Sequence, residues 1–263
     1  MNGGRLASWA LGAAFVLVVG LAAADAVRNR ESAPAATTAP ELEDRVRARL
    51  REDGVRGTLY LTAPTGCSTT AWSLPELEPG AERACVPPAP RTVSRLPAPE
   101  SELARAGRLH LNAPLRTGRL RVLVDDVARL ARGRAAALLS LRVAGGPDLG
   151  GNQLIALFED GRLTATASFF RGDLRRLTAS PDRAYVAALP GFVVRANGST
   201  TSVPRPLQNA QALAWSPDSK WLALAQPGRV VLVSLASLEQ RDRDGSSLRT
   251  IDLPFEAREL EWR

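Results

Sequence analysis

The sequence holds 263 residues, room for one large domain or two small ones, and carries a formal charge of +7 at neutral pH. All of its basic residues but Lys220 are arginine, and they are spread along the chain beside acids or turns without forming a dense run. That pattern reads as solvated surface and excludes a nucleic-acid-binding tail; a single His and two Cys exclude a zinc frame as well.

In chain order, residues 1–5 form a short head, and Leu6 to Ala24 carry no charge between Arg5 and Asp25. A helix rises about 1.5 Å per residue, so this run spans about 28 Å, close to the hydrocarbon core of a bilayer. A transmembrane helix over 6–24 is therefore predicted. Ala22-Ala23-Ala24 and Ala24-Asp25-Ala26 offer small-x-small patterns, so a cleaved signal peptide is the other reading. Arg28 and Arg30 would by charge alone keep the following residues in the cytoplasm, although long C-terminal domains translocate largely regardless of charge. The closely spaced Cys67 and Cys85 suit an oxidising compartment. The expectation is a single-pass cell-membrane protein with its domain on the extracytoplasmic side, secreted if the segment is cleaved.

Residues 25–56 read as a linker. Ser32 to Pro40 (SAPAATTAP) lacks large apolar residues, and Glu41 to Asp53 places Leu42, Val46 and Leu50 on one helical face. Acidic residues fill its first turn, which suits a helix N-terminus. The spacing predicts a short stalk helix over 41–53.

From Gly57 onward, short β-favouring runs alternate with Gly, Pro, Asp and Asn turns: GTLYLTA, GRLHLNA, GRLRVLV, NQLIALF, GRLTATASFF, GFVVRA and GRVVLVSL. This texture predicts an all-β domain over 57–263. Asp125 to Arg142 (DDVARLARGRAAALLSLR) would be helix by propensity alone. A repeat decides otherwise. Leu213 to Leu224 (LAWSPDSKWLAL) has an upstream partner in Leu177 to Ala188 (LTASPDRAYVAA), both with Ser-Pro-Asp, then an aromatic, then an apolar run. Val127-Ala128-Arg129-Leu130 followed by Gly133 and AAALL fits the frame in degenerate form. Glu259-Leu260-Glu261-Trp262 matches its front, and Val93 to Pro97 is a weak copy. Proline fixes φ at the turn, and Asp hydrogen-bonds backbone amides two residues on. A unit of this kind stacks on its neighbours to bury both faces.

These residues resemble TolB-like and WD40-like β-propeller repeats, in which an apolar pair precedes Trp-Ser-Pro-Asp-Gly and an apolar strand. Ser180-Pro181-Asp182 and Ser216-Pro217-Asp218 match well, with Arg183 and Ser219 where the family prefers Gly. The arginine bias fits a GC-rich, actinobacterial-type coding sequence. The resemblance implies a propeller of about five four-stranded blades. Its first blade has strands GTLYLTA, TAWSLP and ERACV but lacks an innermost one, which ELEW supplies. Leu260 to Trp262 is therefore expected to pair with Thr58 to Leu61, the C-terminal strand closing the first blade. Cys67 and Cys85 fall in that blade and are expected to form a structural disulfide.

Chemistry is harder to find. His110 stands alone in GRLHLNA and reads as a structural or surface residue. Asp125, Asp126, Asp148, Asp160, Asp173, Asp182 and Asp218 are the carboxylates from which a glycosidase pair would be drawn. The two repeat aspartates have a turn role, and the doublet Asp125-Asp126 has no evident partner. Asn197-Gly198-Ser199 reads as a β-turn, and Gln240 to Ser247 (QRDRDGSS) as a polar hairpin loop. Trp72, Trp215, Trp221 and Trp262 read as strand residues of the core. No catalytic, cofactor-binding or metal-ligating set is assigned. The expected function is a non-enzymatic binding or scaffold module of the cell envelope. It would be held in the membrane by residues 6–24 and take a protein or other envelope partner, with no nucleic acid. The alternative is an extracytoplasmic, glycosidase-like hydrolase with carboxylates at the propeller channel.

Overall fold

A computed structural model describes residues 39–63, 67–84, 93, 95–111, 119–144, 152–169 and 174–263. The expected head, membrane segment and most of the linker lie outside the described residues, as do Cys85, Asp148 and Asp173. Among the described residues no helix is long and apolar enough to cross a membrane. The chain divides into two units, residues 1–45 and 46–263. Helix α1 spans Ala39–Glu52, and its residues Val46 and Leu50 are buried.

Among the described residues the larger unit holds four antiparallel sheets. The first contains β1 (Gly57–Thr62), β2 (Ser68–Leu74) and the short β3 (Glu78–Pro79) and β4 (Arg83–Ala84), both paired with β2. The second runs β5 (Arg119–Arg129), β6 (Arg134–Ala144), β7 (Gln153–Glu159) and β8 (Arg162–Phe169). The third is β9 (Arg175–Ala179), β10 (Tyr185–Leu189), β11 (Phe192–Arg195) and β12 (Thr200–Ser202). The fourth is β13 (Ala212–Trp215), β14 (Trp221–Gln226), β15 (Arg229–Ser234) and β16 (Thr250–Leu253). The last strand in chain order, β17 (Glu259–Trp262), joins the first sheet beside β1, in the register Leu59↔Trp262 and Leu61↔Leu260. The pairing expected from the two incomplete ends is present.

The sheets pack face to face. In the fourth sheet, Ala214, Ala223 and Leu232 point toward the first sheet, while Leu213, Leu222 and Val231 point toward the third. Because side chains alternate along a strand, burial on both faces demands the near-continuous apolar runs WLALAQ and RVVLVS. The third sheet then meets the second through Val186, Ala188 and Val194 against Ala136, Leu138 and Ile155. The same two-sided burial explains why AAALLSL is strand in spite of its helix propensity. Ala137, Leu139 and Leu141 lie on the opposite face of β6 and are covered by helix α2 (Glu100–Leu111). Tertiary burial outweighs propensity here.

Helix α2 corrects the expectation that GRLHLNA is a strand. Residues 107–111 continue a helix that begins at Glu100 with two acids in its first turn and buries Leu103 and Ala106. Gly107, which looked like a turn signal, is a contact point. A Cβ there would stand 2.8 Å from Leu120 Cδ2 and 2.9 Å from Leu141 Cδ2, so glycine lets the helix approach the sheet. The polar stretch QRDRDGSS is likewise no hairpin loop. Helix α3 (Leu235–Asp244) runs through it, capped by the Ser234 hydroxyl accepting from Ser237 N–H and ended by Gly245 in the left-handed conformation. Residues 93 and 95–97 of the weak repeat copy carry no strand.

Candidate functional site

The first strands of the second, third and fourth sheets, together with β17, lie side by side, β5 against β9, β9 against β13 and β13 against β17. Each has one edge without a strand partner in its own sheet, leaving backbone groups that need other partners. Side chains of the neighbouring sheets supply them. Asp126, buried on β5, accepts from Leu177 N–H of β9 at 2.8 Å and from its neighbour Val127 N–H at 2.8 Å. Trp215 of β13 donates its indole N–H to Thr178 O of β9 at 2.9 Å. A register shift between Val124 and Asp126 makes Asp125 the extra residue of a β-bulge, so both acids of the doublet find work. Asp125 accepts from the Ser140 hydroxyl and, at 3.2 Å, from the Gln153 amide. Gln153 in turn donates to Leu174 O at 3.2 Å and accepts from Leu174 N–H at 2.9 Å.

The two Ser-Pro-Asp turns are built alike. Asp182 accepts from Ser180 Oγ at 2.5 Å and from Ala184 N–H at 3.0 Å, and Ser180 Oγ accepts from Tyr185 N–H at 3.0 Å. Asp218 accepts from Ser216 Oγ at 2.6 Å and from Lys220 N–H at 3.1 Å, and Ser216 Oγ accepts from Trp221 N–H at 2.9 Å. Arg183 and Ser219, standing where the resembled repeats prefer Gly, have φ of 56° and 61°. Ser219 Oγ also accepts from Asp182 N–H at 3.1 Å and so ties one turn to the other.

A cavity of about 270 Å³ opens among β9, β13 and β17, with Arg176, Thr178, Trp215 and Glu261 in its wall. Glu261 is the one carboxylate among its described lining residues, and none of Asp125, Asp126, Asp160, Asp182 and Asp218 reaches it. Carboxylate-pair hydrolysis needs two acids about 5–10 Å apart across a substrate. Among the described residues no cluster of three or more His, Cys, Asp or Glu is placed to hold a metal ion. The side chain of His110 is outside the described residues.

The larger opening is a groove of about 760 Å³ at the end of the second and third sheets that carries the β5–β6 and β9–β10 turns. Arg95, Arg129, Arg134 and Arg183 line it, with Leu96, Pro97 and Val127 between them. Local sequence pattern does not assemble this site, because its arginines come from segments far apart in the chain. The available signal was Arg183 directly after one Ser-Pro-Asp turn and Arg129 in the degenerate copy.

A third cluster sits between α3 and the third sheet. Glu239 accepts from Tyr185 Oη at 3.0 Å and from Arg195 Nε at 2.9 Å, and Arg195 Nη2 completes the pair. Burial pushes the Glu239 carboxyl up, but the Arg195 and Tyr185 hydrogen bonds outweigh it and hold the group below the usual carboxylate range. Burial, followed by the contact with Glu239, pushes the Tyr185 phenol up.

No protein-family model and no curated protein matches the chain. Among solved structures it is similar to the β-propeller domain of Cps50 (Swd1) from Myceliophthora thermophila, at 11% identity and a TM-score of 0.34, over 76% of this chain and 59% of that one. It is also similar to Hsv2 from Kluyveromyces marxianus, at 10% identity and a TM-score of 0.26, over 68% of this chain and 57% of that one. A eukaryotic initiation factor aligns at 10% identity and a TM-score of 0.28, over 76% of this chain and 40% of that one. The chain thus spans less than two thirds of each of these proteins. The superpositions are distant, and the architecture described above stands on strand order and sheet packing.

Proposed function

We propose that this protein is a non-enzymatic binding module of the cell envelope, held at the membrane by residues 6–24 with its β domain, a propeller, outside the cytoplasm. The observation that carries the reading is the use made of the acids. Asp126, Asp182 and Asp218 each hold a turn or a junction between sheets and Asp125 bonds to Ser140 and Gln153 within its own sheet, while the 760 Å³ groove is lined by arginines rather than by a carboxylate pair. Rigid sheets with loops at the ends of their strands suit the capture of a protein partner. The uncharged run of 6–24 supports the membrane tether. Cys67 immediately precedes β2, whose pairing with β4 sets Ser68 opposite Ala84, and this supports a Cys67–Cys85 disulfide in an oxidising compartment.

Two assays test the proposal. A phosphatase fused after Arg263 is expected to be active, whereas activity of a cytoplasmic reporter at that point would overturn the location. Full-length protein in detergent is expected to leave a panel of chromogenic glycosides intact. Turnover abolished by Glu261→Gln would replace the binding reading with a hydrolase.

A further inference from the structure

The groove beside the β5–β6 and β9–β10 turns combines arginines with apolar side chains in its lining. Arg134 is engaged by Glu159 at 3.0 Å, and Asp160 lies next to Gly133 at the margin. Arg95, Arg129 and Arg183 are exposed, and among the described residues no carboxylate pairs with any of them. Leu96 is 50% exposed beside them, with Pro97 and Val127 continuing the apolar surface. The lining is also preorganised. Arg183 O accepts from Ala131 N–H at 3.3 Å, so the turn bearing Arg183 is fastened to the β5–β6 turn.

We infer that this groove binds an acidic polypeptide segment bearing an apolar side chain. Its carboxylates meet Arg95, Arg129 and Arg183, and its apolar group lies on Leu96 and Pro97. The inference rests on the binding-module reading and gives it a partner class. Guanidinium groups take carboxylates in paired hydrogen bonds, which a fixed lining rewards. A single-stranded nucleic acid would want aromatic side chains for base stacking, and none is among the described residues that line the groove. A lipid surface would want its cations on a projecting face, whereas these line a concavity.

The test is a fluorescence-anisotropy titration of the full-length protein in non-ionic detergent with a short labelled peptide of glutamates and leucines. Its amide counterpart, with every Glu replaced by Gln, is run beside it. The acidic peptide is expected to bind at least about tenfold more tightly than the amide, and less tightly as salt rises. Arg129→Gln combined with Arg183→Gly, the glycine suiting a φ of 56°, is expected to abolish that preference without changing the melting temperature downward. Leu96→Ser is expected to weaken both peptides. Equal binding of the two peptides, or an acidic preference that survives the double variant, overturns the inference. So does tighter, groove-dependent binding of phosphatidylserine vesicles or of oligothymidine. A partner crosslinked in the envelope beside the β5–β6 and β9–β10 turns, together with indifference to the acidic peptide, would sink this inference and leave the binding-module reading standing.

Discussion

Trp262 stands opposite Leu59 in the pairing of β17 with β1, and its indole N–H donates to Arg56 O at 3.1 Å. The final strand therefore completes the first sheet, and Trp262 packs in the same core as Leu59, Trp221 and Leu232. Gly57 is part of this joint. Its φ is +117°, and a Cβ there would lie 2.6 Å from Arg263 O and 2.8 Å from Trp262 Nε1.

Removing this joint has a defined cost. Trp262→Ala is expected to lower the unfolding free energy by about 3–5 kcal/mol, as for other large aromatics truncated in a core. Deleting residues 257–263 is expected to cost at least as much and to expose the β1 edge to aggregation. Denaturant titration reads the first effect and light scattering the second. A loss below about 1 kcal/mol for Trp262→Ala would mean that the strand adds little to the sheet.

The junction of the second and third sheets hangs on one carboxylate. Asp126→Asn keeps the shape but leaves an NH₂ group facing one of the two backbone N–H donors, Leu177 or Val127. A destabilisation of about 1–3 kcal/mol is expected, since one buried donor loses its acceptor. Thermal denaturation of this variant beside wild type checks it, and an unchanged midpoint would count against the junction.

The Glu239 cluster sets a pH dependence. A carboxyl held below its ordinary pKa of 4.5 by the fold contributes stability that is present above that value and lost as pH falls through the lower, folded value. Glu239→Gln is therefore expected to be less stable than wild type at neutral pH and to show a shallower loss of stability on acidification. Parallel slopes for the two proteins below pH 4.5 would show that the Arg195 and Tyr185 contacts add nothing.

Much of this architecture was legible in the sequence because strand patterning and repeat turns are local. Ser-Pro-Asp followed by an aromatic marks the β9–β10 and β13–β14 turns, and the incomplete first blade pointed to ELEW as its missing strand. The misreadings share one cause, a glycine taken as punctuation. Gly107 serves close packing inside α2, and Gly245 ends a helix rather than opening a hairpin. The arginine groove was invisible for another reason: Arg95, Arg129 and Arg183 come together only when sheets stack, and no local pattern records that stacking. Asp125 and Asp126 looked idle because the amides and hydroxyls they serve lie on other strands.

The cysteine pair gives a covalent test. A Cys67–Cys85 bond would close a loop spanning β2 to β4, worth about 3 kcal/mol in the chain-entropy picture. Mass spectrometry of unreduced, alkylated protein is expected to find one bridged peptide pair. Two alkylated cysteines would remove the disulfide and weaken the extracytoplasmic placement with it.

The central claim, a binding module that works through the groove beside its β5–β6 and β9–β10 turns, is tested most directly by site-specific photocrosslinking in intact cells. A photoreactive residue is placed at Leu96 in the groove or at Pro227, in the β14–β15 turn at the opposite end of the strands. Leu96 is expected to give a discrete crosslinked partner that disappears in the Arg129→Gln, Arg183→Gly background, while Pro227 gives none. A partner captured from Pro227 and absent from Leu96 would contradict the account.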